Sequence, residues 1–180
     1  MARHVVLLRG VNLASRNRVS MADLRAVLEE AGFADVATYL QSGNAIVTSP
    51  KRPAAVARAC HEAIRDALGL DVAVLARSAR ELAAVVDRNP LGGVATNPKR
   101  YQVTFLERKL TSAGAERVRA AAAEDERVVV DGREIYAWHP ESVARSKLWS
   151  LLAGRTLGVA ATARNWTTVT KLLALAEGRS

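Results

Sequence analysis

The order of predicted strands and helices is the feature that most limits what this chain can fold into. Apolar runs, helical spacing and turn residues over positions 4–77 predict the order β-α-β-β-α-β. Positions 101–162 predict the same order again, and a last helix follows from about Asn165 to Ala176. This is the order of the split βαβ, or ferredoxin-like, unit. The sequence therefore predicts an α+β fold of two ferredoxin-like subdomains, each with an antiparallel sheet and two helices on one face, plus a C-terminal helix.

A segment rich in proline and glycine, residues 89–98, lies between the two repeats and predicts the domain boundary. We assign residues 1–88, which end in a linking helix, to the first subdomain. The second subdomain takes residues 99–180 with the C-terminal helix, and we expect the two to form one compact unit. Within the second, the pattern predicts a helix over residues 142–153 and a strand over residues 156–162.

Local signals mark the ends of several elements. The continuous apolar run at residues 5–8 predicts a strand that is buried on both faces. Ser20 offers an N-cap hydroxyl to the first helix, and Asp23, three residues later, makes a short variant of the capping box. Between two apolar runs, Asp131-Gly132 predicts a type I′ hairpin turn.

Composition and charge limit the kinds of partner. The chain has 180 residues, of which 49% are hydrophobic, so it can bury a sizeable core. Its formal net charge is +8. From Ser142 onward six basic residues stand against one acidic residue, which favours an anionic partner such as nucleic acid, nucleotide or phosphate. A solvated basic surface without a partner explains the same charge.

Cysteine content and hydropathy indicate the compartment. Cys60 is the only cysteine, so no intramolecular disulfide can form, which suits a reducing cytosol. The N-terminal apolar run is shorter than the ~7 residues that a signal peptide needs, and no apolar run approaches the ~20 residues of a membrane span. We therefore expect a cytoplasmic protein with no membrane partner.

Two polar clusters form the candidate ligand site. The first cluster lies in the loop after the first strand and at the hairpin turn between the second and third strands. These two segments meet because strands one and three are neighbours in a ferredoxin-like sheet. The second cluster opens the last helix, where Asn165 is a natural N-cap and the free N–H groups behind it favour an anion. The candidates are Arg9, Asn12, Gln41 and Asn44 in the first cluster and Arg164, Asn165, Trp166, Thr168 and Lys171 in the second.

We expect these clusters to flank a cleft between the halves that binds an anionic small molecule bearing phosphate or carboxylate, because arginine grips either group through two hydrogen bonds. The alternative is a structural role for the same residues. In that case the asparagine side chains satisfy loop backbone, Arg9 bridges the halves, and Trp166 belongs to the core stripe of the last helix.

Aromatic residues of the second subdomain suggest nucleic-acid binding as another function. Tyr101 and Phe105 share one face of a predicted strand, and Tyr136 and Trp138 share one face of its predicted neighbour. Aromatic side chains on two central strands resemble the base-stacking platform of RNA-recognition domains. We favour a cross-strand aromatic cluster packed inside the protein, because the first half has no matching platform and no RNP motif is present.

Known catalytic patterns are weak in this sequence. The three histidines are scattered, no His/Cys spacing predicts a zinc site, and no cofactor motif is present. Thr168 and Lys171, three residues apart, are a weak signal for a nucleophile and its base. An enzyme acting on a phosphorylated metabolite is therefore a third hypothesis, and the sequence does not decide whether the protein is an enzyme.

Several motifs of this chain are similar to those of one protein family. They are Leu8-Arg9-Gly10-Val11-Asn12, Asn17-Arg18-Val19-Ser20-Met21, Tyr39-Leu40-Gln41-Ser42-Gly43-Asn44, Asn89-Pro90, Ser146-Lys147-Leu148, and Thr162-Ala163-Arg164-Asn165-Trp166-Thr167-Thr168-Val169 with Lys171-Leu172. In this order they cover almost the whole chain and resemble domain-of-unknown-function family 1697. The resemblance implies two ferredoxin-like subdomains and implies no activity.

The chain departs from the family pattern in two loops. Family members often carry Gly-Gly where this chain has Ala14-Ser15, and a glycine where it has Ser142. Glycines at these positions favour a backbone nest for anions. Their replacement argues against such a nest in this chain.

Overall fold

A computed structural model describes residues 1–179 of the chain. Its strands and helices are, in chain order, β1 (Ala2–Leu8), α1 (Met21–Glu30), β2 (Ala34–Thr38), β3 (Asn44–Ser49), α2 (Pro53–Leu68), β4 (Val74–Ser78), α3 (Ala79–Arg88), β5 (Tyr101–Leu106), α4 (Ser112–Ala121), β6 (Arg127–Asp131), β7 (Glu134–Trp138), α5 (Lys147–Ala153), β8 (Ala161–Asn165) and α6 (Trp166–Ala176).

The strands form two four-stranded antiparallel sheets, with the orders β2-β3-β1-β4 and β6-β7-β5-β8. Helices α1 and α2 pack on one face of the first sheet, and α4 and α5 pack on one face of the second. This arrangement confirms the predicted α+β class with two ferredoxin-like halves. The apolar run of β1 is buried on both faces, as its composition predicts, since Val5 to Leu8 are each at most 1% exposed.

The central strands β1 and β5 pair with their neighbours in matching registers, whereas the β2–β3 pair has a register shift between Ala34 and Ala37 that the β6–β7 pair lacks. Val5 lies opposite Arg77 in the first sheet, as Val103 lies opposite Arg164 in the second. The N–H of Leu8 donates to Gly43 at 2.9 Å, and the N–H of Leu106 donates to Arg133 at 2.8 Å. The sequence indicated the repeat through element order alone.

Two elements of the second half differ from the sequence prediction. The helix expected over residues 142–153 begins only at Lys147, because the Ser146 hydroxyl caps it by accepting the N–H of Trp149 at 3.0 Å. The strand expected over residues 156–162 is Ala161–Asn165 instead. Gly158 has a φ of 76°, a left-handed conformation that interrupts an extended run. Arg164 is therefore a strand residue and does not open the last helix.

The hairpin turn between β6 and β7 also differs from the prediction. Asp131 pairs with Glu134, so the two turn residues are Gly132 and Arg133. Gly132 has a positive φ of 61°, and Arg133 does not have a positive φ. A type I′ turn needs a positive φ at both central residues, so the turn is not of that type.

The described residues group into two compact units. The first unit contains Met1–Ala84 and the residues from Lys171 onward, and the second contains Val85–Thr170. The boundaries lie within α3 and within α6. Among residues 1–179, no helix combines the length and the apolar character that crossing a membrane requires.

Candidate functional site

The connection from the first strand to the first helix is much longer in the first unit than in the second. Residues 9–20 connect β1 to α1, whereas residues 107–111 connect the equivalent β5 to α4. Five residues are thus enough for this connection in the fold. Extra loop length that a fold does not need is commonly functional.

The backbone of this long loop repeatedly adopts the left-handed conformation. The φ angles are 65° at Gly10, 54° at Asn12, 52° at Ala14 and 49° at Asn17. A left-handed backbone costs a residue with a Cβ roughly 1–2 kcal/mol. Ala14 thus carries a side chain in a backbone conformation that glycine adopts without strain.

Asn12 holds the loop together and ties it to the β2–β3 hairpin. Its Nδ2 donates to the carbonyl of Val19 at 2.8 Å and to the carbonyl of Gln41 at 2.6 Å, while its Oδ1 accepts the N–H of Val19 at 2.9 Å. Asn44 is buried, and its Nδ2 donates to the carbonyl of Tyr39 at 3.0 Å. The predicted neighbourhood of the two loops is thus present, and both asparagines support backbone within it.

These loops border a cavity of about 480 Å³ in the first unit. Its lining combines apolar and polar groups: Asn12, Ala14, Arg18, Val19, Ser20, Asp23, Gln41 and Leu68. The side chains of Arg18, Asp23 and Gln41 are exposed and make no hydrogen bond or ion pair with any other part of residues 1–179. Arg9 is half-buried, has partners of its own and does not line this cavity. Sequence reasoning named Gln41 as a candidate and missed Arg18, although Arg18 lies in one of the motifs that resemble the family, Asn17-Arg18-Val19-Ser20-Met21.

Arg164 of the second cluster is a buried residue of the second unit. It is 8% exposed, and its guanidinium donates to the Thr162 hydroxyl at 2.7 Å and to the Ala163 carbonyl at 2.8 Å. Burial lowers the pKa of Arg164 to about 10, so the group remains charged at neutral pH.

The neighbours of Arg164 have structural contacts as well. The Oδ1 of Asn165 accepts the N–H of Thr168 at 2.9 Å, which confirms the predicted N-cap of the last helix. The Trp166 ring stacks on the Tyr101 ring with centroids 4.7 Å apart. Thr168 is buried, and Lys171 is half-buried one turn further along α6.

The aromatic residues of the second sheet share one face but are not exposed. The register places Tyr101 opposite Trp138 and Val103 opposite Tyr136. Tyr101, Phe105, Tyr136 and Trp138 are between 0% and 7% exposed. Burial raises the pKa of Tyr101 and of Tyr136 to about 12. These side chains form a packed cluster, and no open base-stacking platform is present on this face.

A buried cluster that the sequence did not indicate lies in the second unit. The Glu126 carboxylate accepts Nδ1 of His139 at 2.7 Å and the N–H of Ala123 at 2.9 Å. Burial by itself raises the pKa of Glu126, but hydrogen bonds from Ser146, Ala123 and His139 outweigh it and hold the pKa below its usual range.

A second cavity, of about 660 Å³, borders this cluster at Glu126 and Ser146. The contacts run from serine to carboxylate to imidazole, whereas a hydrolase triad places the imidazole between the other two groups. Glu126, His139 and Ser146 are far apart in sequence without a known spacing, so no sequence signal identifies the cluster. Among residues 1–179, no group of three His, Cys, Asp or Glu side chains could hold a metal ion.

Comparisons with known proteins relate the chain to a family and to a solved structure. A family model described as "Protein of unknown function (DUF1697)" matches residues 1–136. The structure of the conserved bacterial protein SP0830 from Streptococcus pneumoniae is similar, with a TM-score of 0.78 and 22% sequence identity over 97% of this chain and 98% of that chain. No curated protein matches the chain. At this identity the structural similarity shows the fold alone.

Proposed function

The chain belongs to the DUF1697 family of proteins of unknown function, and we propose that its first unit binds an anionic small molecule in the cavity beside the loop of residues 9–20. The observation that carries this proposal is the Arg18 guanidinium. It lines a cavity of about 480 Å³ and has no partner within residues 1–179. Cavities that hold small molecules measure roughly 300–1,000 Å³.

The side chains around Arg18 supply the other interactions that such a ligand needs. The guanidinium offers paired N–H donors that match a carboxylate or phosphate, and no ion pair has to be broken before it binds. The Ser20 oxygen accepts the N–H of Asp23 at 3.0 Å, which leaves its own hydrogen to donate. Asn12 donates a hydrogen bond to the backbone carbonyl of Gln41. This bond fixes the backbone position of Gln41 beside the cavity, and the Gln41 side chain supplies an amide from there. Val19 and Leu68 provide apolar contact.

The proposal uses the first cluster of candidate residues and not the second. Arg164 is 8% exposed, Asn165 caps α6, and Trp166 stacks on Tyr101. Within the first cluster, Asn12 and Asn44 act through the backbone that they hold, and Arg18 takes the anion-binding role that the sequence suggested for Arg9.

Native mass spectrometry of protein taken directly from cells, compared with its denatured mass, tests for a retained ligand. Calorimetric titration with inorganic phosphate and with adenosine monophosphate then tests the anion site. Losing hydrogen bonds from a charged group costs about 1.5–3 kcal/mol, so Arg18→Gln is expected to weaken binding at least about ten-fold. Its melting temperature should stay near that of the wild type, because Arg18 is exposed and unpaired.

Arg25→Gln is the matched control, because Arg25 is also an exposed arginine, lies on α1 and does not line the cavity. It should bind like the wild type. Equal weakening by both substitutions would show that only overall charge matters. A bare native mass together with no binding of either probe would overturn the proposal.

A further inference from the structure

The cavity lined by Arg18 is lined by Asp23 as well. No ion pair joins the two side chains, and neither side chain has a hydrogen-bond or ion-pair partner within residues 1–179. Here the cavity presents one positive and one negative group separately.

Helix capping does not account for the Asp23 carboxylate. The Ser20 hydroxyl accepts the backbone N–H of Asp23 at 3.0 Å, but the reciprocal bond from the Ser20 N–H to the carboxylate is absent. Helix α3 shows the complete box for comparison. There the Ser78 oxygen accepts the N–H of Glu81 at 3.1 Å, and the Glu81 carboxylate accepts the N–H of Ser78 at 2.9 Å. The aspartate side chain is one methylene shorter, so only the Asp23 backbone serves the cap.

The two charges together restrict the chemistry of a ligand. A ligand with only an anionic group is attracted by Arg18 and repelled by Asp23, and the two effects partly cancel over the short distances of one cavity. A ligand that also carries a positive group gains from both side chains. A carboxylate accepts hydrogen bonds and donates none, so an ammonium group is the complement that satisfies both its charge and its lone pairs.

We propose that the ligand is a small zwitterion of the amino-acid or dipeptide class, whose carboxylate binds Arg18 and whose ammonium group binds Asp23. This inference rests on the function proposed above and specifies its ligand. Val19 and Leu68 contact the apolar part of the molecule, and Gln41 supplies an amide that can pair with a peptide group. The cavity volume of about 480 Å³ accommodates a dipeptide.

A panel of free amino acids and of dipeptides with free termini tests the ligand class by thermal shift and then by calorimetry. The tightest dipeptide is compared with its N-acetyl form, which lacks the ammonium group, and with its C-terminal amide, which lacks the carboxylate. Each modification is expected to weaken binding to the wild type at least about ten-fold, the factor that corresponds to one charge-assisted hydrogen bond.

Two variants assign the charges to the ends of the ligand. The Asp23→Asn variant is expected to bind the dipeptide and its N-acetyl form with equal affinity. It should still bind the C-terminal amide more weakly than the dipeptide. The Arg18→Gln variant is expected to bind the dipeptide and its C-terminal amide with equal affinity. It should still bind the N-acetyl form more weakly than the dipeptide. Glu29→Gln, an exposed substitution on α1 outside the cavity, is the control and should keep both preferences.

The outcomes separate the two proposals. Binding of phosphate or adenosine monophosphate through Arg18, with no response to any member of the panel, would leave the anion site standing and overturn the zwitterion. If the Asp23→Asn variant still binds the dipeptide more tightly than its N-acetyl form, the proposed role of Asp23 is overturned. If neither the phosphates nor the panel bind the wild type, both proposals fail.

Discussion

At the scale of single residues, Arg164, which the sequence proposed as a ligand-binding residue, and Arg18, which it did not, have opposite environments. Arg164 is 8% exposed and donates to Thr162 and Ala163, whereas Arg18 is exposed and unpaired within residues 1–179. Removing a buried charged donor leaves unsatisfied acceptors and an unfilled volume, and each of these destabilises the fold. The contribution of each arginine to stability therefore follows from its burial.

We predict that Arg164→Ala lowers the free energy of unfolding by roughly 2–4 kcal/mol. Arg18→Ala should change it by less than about 0.5 kcal/mol, because surface substitutions away from packed features have small effects. Urea denaturation of both variants measures the difference. Equal stability of the two variants would contradict the structural role of Arg164.

Single-residue predictions succeeded where the deciding contact is local. The caps at Ser20 and Asn165 depend on a backbone N–H three residues away, so their sequence context is sufficient. The role of Asn12 depends on Gln41, which is 29 positions away, and the sequence alone gives only the neighbourhood. The burial of Arg164 depends on its place in strand β8, where it pairs with Val103 of β5, and the sequence placed that strand at residues 156–162 instead.

At the scale of elements, the joint between the long loop and the β2–β3 hairpin is the most constrained point of the candidate site. Gly43 has a φ of 78°, and a Cβ at this position would lie 2.5 Å from Cγ2 of Val11 and 2.8 Å from Cβ of Leu8. Both neighbours are buried and cannot move away freely. The close packing of these two segments therefore requires glycine.

We predict that Gly43→Ala lowers the free energy of unfolding by about 3 kcal/mol, from left-handed strain of roughly 1–2 kcal/mol and a steric contribution of similar size. Gly132→Ala is the matched control, because Gly132 has a φ of 61° with no atom within 4 Å of the added Cβ. It should show the strain alone, about 1 kcal/mol. Equal losses in urea denaturation of the two variants would contradict the packing argument.

Element prediction worked best where a turn or cap signal stands beside a clear pattern. The linking helix, α3, ends at Arg88 and strand β5 begins at Tyr101, the positions that the sequence predicted. The last strand was misplaced because Leu157 belongs to an apolar run, yet it packs into the core from a loop. The strand itself carries alternating polar residues, and its place is fixed by pairing with β5, which no local pattern reveals.

At the scale of the whole molecule, the two central strands, β1 and β5, pair in matching registers but are followed by loops of different length. The strand ends at Leu8 and Leu106 make equivalent hydrogen bonds, but a twelve-residue loop follows the first and a five-residue loop follows the second. Element order was enough to predict the repeated fold. The proposed site depends on what the two repeats do not share, and its free side chains, Arg18 and Asp23, could be identified only after the loop geometry was known.

The stability of the whole chain should depend on alkaline pH through its buried tyrosines. Burial raises the pKa of Tyr101 and of Tyr136 to about 12, from about 10 in an unfolded chain. Because the folded pKa is the higher one, the stabilisation is complete below about pH 10 and is lost as pH rises towards about 12. Burial of the Cys60 thiol, with its pKa raised to about 12, acts in the same direction.

We predict that melting temperature falls steeply between about pH 10 and 12, and that Tyr136→Phe reduces this fall because phenylalanine has no proton to lose. At neutral pH the same variant should be slightly less stable than the wild type, since it loses the hydrogen bond from the Tyr136 hydroxyl to the Val85 carbonyl at 2.9 Å. The two stability curves should therefore converge as pH rises. Parallel curves over this range would mean that Tyr136 ionises as readily in the folded protein as in the unfolded chain.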